Sequence, residues 1–322
     1  MQKVKRNFVG ENNLTRKAAS FRLATEVVKS ANEGTIQKVA QAARMLAEFV
    51  NNEYDLKNLA KLESNHMEDF ADNLLERLDS GEISRGHATN IISALNSVFN
   101  YYYRDDLKIS ARGYGLNRGT RFNNTDKSIS DENHQKFSEY LSDKFNASGD
   151  VRYEALRLQV ELQRSAGLRF KESALLSGKE LRKNNNLEIR KGTKGGQLRT
   201  IDSTEAQRKL ISDIKNFRKE YNLTRSLIPD NLFFKEWSRF AYNVVKDFKR
   251  ETGLKYNFHG NRHYYAQKRY KELTGHEPPV KAGFSKKNPV KEEKSFEVRL
   301  KISEELGHHR IDITSYYLGR GK

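Results

Sequence analysis

Through the first hundred residues, apolar side chains return every three or four positions, and no stretch before residue 104 reads as a strand. Ile36, Val39, Ala43, Leu46 and Val50 form one such row, Met67, Phe70, Leu74 and Leu78 a second, and Ala88, Ile91, Leu95, Phe99 and Tyr102 a third. At about 3.6 residues per turn each row lines one face of a helix. Such a region buries a core only by packing helix on helix. The stretch before Thr35 is expected to be helical too, and Ser80-Gly81 ends the second helix. Residues 1–106 therefore read as a helical domain.

Residues 107–127 carry Lys108, Arg112, Arg118 and Arg121 with Gly113, Gly115 and Gly119 and no clear apolar period. They read as a basic, mobile linker. A second domain, 128–322, opens where Ser130-Asp131 can cap a helix, and another helix runs from Arg152 to Ala166 and breaks at Gly167. Leu187 to Arg190 and Gln197 to Ile201 alternate in the manner of strands around Gly192, Gly195 and Gly196, which predicts a β-hairpin with Lys194 near its turn. Asp202 with Glu205 suggests a capping box for a helix reaching Tyr221. Trp237, Phe240, Val244 and Phe248 mark another helix, His259 is expected in the loop after it, and the next helix is expected to start near Arg262. Pro278, Pro279, Pro289 and five lysines between 275 and 295 read as an exposed insertion. The fold class is mainly α: a helical domain followed by a mostly helical α/β domain with one small antiparallel hairpin.

Charge speaks to partners rather than to fold. With 59 Lys+Arg against 42 Asp+Glu the chain carries +17, at a pI near 9.7, which points to a polyanion and first of all to nucleic acid. Hydrophobic residues at 36% and aromatics at 10% exclude a disordered polycation. No cysteine is present, so disulfides, thiolate metal sites and cysteine nucleophiles are excluded. No apolar run approaches the ~20 residues of a membrane span, and Met-Gln-Lys-Val-Lys-Arg is not followed by a signal-peptide core. A cytoplasmic location is expected.

The stretch Leu306 to Leu318, Leu-Gly-His-His-Arg-Ile-Asp-Ile-Thr-Ser-Tyr-Tyr-Leu, sets phenols beside an imidazole. A phenol, with a pKa of about 10, becomes a nucleophile only where cations or donors stabilise its oxyanion. Candidates are His308 nearby and, far upstream, Arg169, Lys194, and His259 with Arg262. Singly, each has a structural explanation: a surface arginine, a hydrogen-bonding histidine, a core aromatic. As an ordered set they suit attack on a phosphodiester. Guanidiniums fork onto the non-bridging oxygens, an ammonium on a hairpin tip protonates the leaving oxygen, and imidazoles donate to phosphate or exchange a proton with the tyrosine.

These residues resemble those of the tyrosine site-specific recombinases, the phage-type integrase family. Gly167-Leu168-Arg169 with Glu172 resembles the first arginine box, and His259-Gly260-Asn261-Arg262-His263 resembles the His-x-x-Arg-His box. Leu306-Gly307-His308 resembles the box before the nucleophile. The family's tyrosine commonly lies nine residues after that histidine, which selects Tyr317 over Tyr316. Lys194 to Asp202 follows the family's Lys-Gly-x-x-x-Arg-x-x-Pro hairpin except at the last position, with Lys191 as the second candidate. The resemblance implies a core-binding domain and a catalytic domain clamped on duplex DNA. The catalytic set would be Arg169, Lys194, His259, Arg262, His308 and Tyr317, making a 3′-phosphotyrosyl intermediate without ATP, metal or other cofactor. Oligomers on paired sites, tetramers by analogy, and DNA-bending accessory proteins are the implied partners. Integration or excision of a mobile element is the implied use, with multimer resolution, type IB-like topoisomerase activity or DNA binding without cleavage as alternatives.

Two departures stand out. Arg262 and His308 are 46 positions apart, about twice the family's usual gap, and the excess coincides with the 275–295 segment. Only five residues follow Tyr317, where many relatives send a helix into a neighbouring protomer. The insertion is expected to supply protomer or DNA contacts in its place.

Overall fold

The structure is a computed structural model that describes residues 27, 33–116, 125–193, 196–283, 289–308 and 310–320. Two compact units divide between Arg121 and Phe122.

The first unit is helical, as its apolar rows require. Helices α1 (Glu33–Tyr54), α2 (Ser64–Asp79) and α3 (Arg85–Tyr101) bury those rows in one core, where Leu46, Val50, Phe70, Leu74, Leu95 and Phe99 are almost wholly enclosed. The helix expected before Thr35 lies largely outside the described residues. The linker reading needs correction at its front end, because Leu107, Ile109 and Leu116 are buried in this same core. Asn96 fastens the segment by donating to the Ile109 carbonyl at 2.9 Å and accepting from its amide. Those three apolar residues fit neither a helix nor a strand period, so the sequence did not mark them as core.

The second unit is built around α5 (Val151–Ala166). It packs on α4 (Asp131–Ser148), on α7 (Glu205–Glu220) and on α9 (Phe258–Thr274). Ser130 caps α4 through the Asn133 amide at 3.1 Å, as expected. At α7 the cap differs from expectation: Thr204 and Gln207 form the reciprocal box, while Asp202 is the last residue of a strand. That strand, β2 (Arg199–Asp202), pairs antiparallel with β1 (Asn186–Ile189), with Leu187 opposite Ile201 on the buried face. Helix α8 (Phe234–Thr252) inserts Trp237, whose indole N–H donates to Gln159 at 2.8 Å while Gln159 donates to the Phe170 carbonyl at 3.0 Å. A buried polar pair satisfied this way fixes one packing of α8 on α5.

Helix α9 starts before Arg262, contrary to expectation. Asn257 accepts from the Gly260 amide at 2.7 Å and opens the helix at Phe258, so His259 lies in its first turn. Gly260, in the first turn of that helix, has to be small, because a Cβ there would stand 2.6 Å from Ile129. The 275–295 segment is likewise less exposed than expected. Pro278 and Pro279 are buried at the start of a short helix, α10 (Pro279–Ala282), and Val290 and Ser295 are buried ahead of and within α11 (Glu292–Glu305); residues 284–288 lie outside the described set. A separate small core joins Tyr265, Ala266 and Tyr270 of α9 to Val298, Ile302 and Leu306 and to Tyr317 and Leu318 of α12 (Ser315–Leu318). The terminal tyrosine segment is thereby docked on its own unit.

Gly167 ends α5 in the left-handed region at φ 60, and a Cβ there would lie 2.5 Å from the Tyr265 ring. Strain and overlap act together, so Gly167→Ala is expected to lower the unfolding free energy by about 2–4 kcal/mol, read from urea denaturation followed by circular dichroism.

Candidate active site

Arg262 sits in the second turn of α9 and is 1% exposed. All three of its guanidinium nitrogens donate. Nη1 donates to the carbonyl of Gly167, Nη2 to the carbonyl of Leu306, and Nε to the hydroxyl of Tyr317 at 3.1 Å. Nη2 also lies 3.1 Å from Nε2 of His308, which stands 3.4 Å from the same hydroxyl. Nε2 is accordingly assigned as an acceptor, which puts the ring proton on Nδ1. The phenol of Tyr317 therefore lies between a buried cation and a basic nitrogen.

Arg169 caps the short helix α6 (Phe170–Ala174) together with Glu172, which accepts from the Arg169 amide at 2.8 Å and pairs with its Nη1. The side chain of Arg169 keeps partial solvent access, whereas that of Glu172 has none. Burial would raise the Glu172 carboxyl, but Arg199, Arg169 and Arg262 hold it below the usual range and so ionised. Gly307, at φ +64, turns the chain between Leu306 and His308 over the Arg199 stem, and a Cβ there would lie 3.7 Å from Arg169 Nη1.

Three and four residues along α9 from His259 come Arg262 and His263, on the same face. The rings of His259 and His263 lie 5.9 and 4.8 Å from that of Tyr317. His259 is driven down to about 4 by crowding against protein atoms, with Arg262, Arg169 and Lys127 acting the same way. Its edge remains open to solvent, which weakens the crowding effect without changing its direction, and the ring is neutral at pH 7. His263 is 1% exposed and is driven down to about 3, first by burial and then by His259 and Lys127.

Five of the six side chains expected from sequence, Arg169, His259, Arg262, His308 and Tyr317, thus gather at one place. The sixth, Lys194, lies outside the described residues. Lys191 is not part of the gathering; it lines a separate cavity of about 460 Å³ with Lys179 and Arg225. Sequence reasoning missed Lys127, whose ammonium is 3.4 Å from the Tyr316 hydroxyl, and Gln267, which donates to the Tyr317 carbonyl at 3.3 Å and to Asp126 at 2.8 Å. Gln267 falls four residues after His263, so helical spacing could have found it. Lys127 carried no such signal.

No protein-family model matches the sequence, and no curated protein matches it. Solved structures do. XerH site-specific recombinase bound to its difH substrate superposes with a TM-score of 0.61 at 17% identity, over 94% of this chain and 80% of that one. The chain has the tyrosine-recombinase fold. The integrase of transposon Tn1549, in complex with transposon right-end DNA, gives a TM-score of 0.58 at 12% identity over 94% and 95% of the two chains. A lambda integrase dimer on a core site gives 0.58 at 14% over 97% and 79%. At such identities the recombinase fold is what is shared, and the chemistry has to be argued from the side chains.

A histidine held neutral in the folded chain takes up a proton in the unfolded chain below about pH 6.5. Stability from His263 is thus full above that pH and declines as pH falls toward 3, by up to about 1.4 kcal/mol per unit; His259 adds in the same sense. Urea denaturation at pH 6, 5.5 and 5 is expected to show this decline, and His263→Gln is expected to flatten it.

Proposed function

We propose that the chain cleaves and rejoins duplex DNA by nucleophilic attack of Tyr317 on a phosphodiester. One observation carries the reading: the Tyr317 hydroxyl accepts a hydrogen bond from the buried Arg262 and lies within reach of Nε2 of His308, in a fold shared with DNA-bound recombinases. The phenolic oxygen bonds to phosphorus, its proton passes to His308, and the bond to the 5′ oxygen breaks, leaving a 3′-phosphotyrosyl link. The 5′ oxygen leaves protonated, with Lys194 as donor. Resealing runs the same steps backwards, and the covalent link conserves the bond energy, so no ATP enters. Arg169 and His259 are the accessible groups for the non-bridging oxygens, and the buried charge of Arg262 stabilises both phenolate and phosphorane.

Duplex DNA is the partner that a net charge of +17 favours. Assembly of several protomers on paired sites and use in integrating or excising a mobile element extend the reading. The structural neighbours are recombinases and integrases, one of them a lambda integrase tetramer on a Holliday junction. Bending of the target by accessory proteins belongs to the same reading.

On a nicked suicide duplex, Tyr317→Phe is expected to abolish the covalent adduct and keep duplex affinity, whereas Tyr316→Phe keeps both. An adduct that survives in Tyr317→Phe and vanishes in Tyr316→Phe would move the nucleophile by one residue. Affinity is expected to fall steeply and log-linearly with salt as phosphate contacts release counterions, measured by fluorescence anisotropy from 50 to 300 mM salt; a flat line would exclude a backbone clamp.

A further inference from the structure

Arg199 takes no part in the chemistry described so far. It occupies the first position of β2, opposite Ile189, on the face that also buries Ile201. It is 2% exposed, and among the described residues none of its three guanidinium nitrogens has a hydrogen-bond partner. A buried guanidinium normally satisfies its donors with oxygens. Arg262, buried as deeply, does so; Arg199 keeps a single ion pair, Nη1 to Oε2 of Glu172 at 3.3 Å. Three guanidiniums, Arg169, Arg199 and Arg262, therefore surround one carboxylate, an excess of two positive charges. The other ionisable group facing Arg199, Tyr265, donates to Glu305 at 2.8 Å, and Glu305 is matched by Arg269 at 2.8 Å, so the excess is not cancelled from that side.

The stem of Arg199 has a second neighbour. Its Cδ lies beneath Gly307, where a Cβ would come within 2.9 Å. Gly307 is the pivot between Leu306, whose carbonyl accepts from Arg262, and His308, whose Nε2 faces Tyr317. Arg199 thus touches the supports of both the first arginine and the second histidine without reaching the surface itself. For folding alone this is a poor arrangement, since an apolar side chain of similar volume would fill the same space without desolvating a charge.

We propose that Arg199 is a positioning residue for the phosphoryl chemistry, bracing Glu172 and the Gly307 turn from below and holding an uncompensated positive charge under the oxyanion site. The inference rests on the phosphodiester reading above. Burial lowers the Arg199 guanidinium to about 9, with Glu172 favouring its charge and Arg262 and Arg169 opposing it. The group is still charged at pH 7. Folding disfavours that charged form, so the charge subtracts from stability at every pH below about 9.

Stability and function are thereby expected to move in opposite directions. Wild-type full-length chain, Arg199→Met and Arg199→Lys are melted while inorganic phosphate is titrated, and their adduct rates on the nicked duplex are compared. Without phosphate, Arg199→Met is expected to melt at or above the wild-type temperature, because Glu172 retains Arg169. Its phosphate affinity and its adduct rate are each expected to drop about tenfold or more, with duplex affinity nearly unchanged and Arg199→Lys recovering much of the loss. Three results would overturn the proposal: no effect of phosphate on the wild-type melt, wild-type phosphate affinity in Arg199→Met, or a large drop in its melting temperature that Arg199→Lys does not repair. If the wild type forms no adduct, the recombinase reading falls while the phosphate titration still decides the role of Arg199.

Discussion

One guanidinium joins what the chain keeps far apart. Arg262 donates to the carbonyl of Gly167 at the end of α5, to the carbonyl of Leu306 at the end of α11, and to the hydroxyl of Tyr317 in α12. Each is a strong buried bond from a charged donor, and a substitution that removed the donor would strand acceptors at a cost of about 1–3 kcal/mol apiece. The three segments therefore have one mutual arrangement in which the charge is satisfied. The Tyr317 hydroxyl, Nε2 of His308 and the turn that leads into Arg169 take their positions from it.

Burial also shapes the titration around that cation. His259 and His263 stay neutral first because their rings are desolvated and then because of neighbouring charges, while the carboxylate of Glu172 stays ionised because three arginines surround it. A neutral imidazole nitrogen can accept a hydrogen bond, and a guanidinium can only donate. Acceptor and cationic roles are thus divided between residue types by environment. A second tier holds this arrangement from behind. Tyr265 and Arg269 of α9 converge on Glu305 of α11, and Gln267 reaches across to the main chain of Tyr317. The short helix α10, from the proline-lysine segment, also packs beside α12. Part of the insertion therefore supports the tyrosine segment of its own chain.

The sequence was most legible where a single period or a single box decided the matter. The apolar rows placed α1 to α3, the alternation around the glycines placed β1 and β2, and the family resemblance, with its tyrosine nine residues after the histidine, singled out Tyr317, which is the tyrosine that faces Arg262. It was least legible where a residue's role came from a distant partner. Leu107, Ile109 and Leu116 are core only because α3 lies against them, through Asn96 among others, and no local period announced it. The need for a glycine at 260 was not marked either, because the crowding by Ile129 that requires it comes from another part of the chain. Lys127 and the buried state of Arg199 were invisible for the same reason.

From the sequence alone came the helical character of both units, the hairpin, the excess of positive charge and the residue types able to attack and stabilise a phosphodiester. These follow from local periodicity and from side-chain chemistry, which do not depend on what lies nearby in space. Only the tertiary structure decided that α9 begins ahead of His259, that Arg262 is spent on two carbonyls and a phenol, and that Arg199 lies unsatisfied beneath Gly307. Those facts depend on burial and on contacts across 40 to 100 residues of chain, where desolvation and the competition for hydrogen-bond acceptors determine what a charged side chain does.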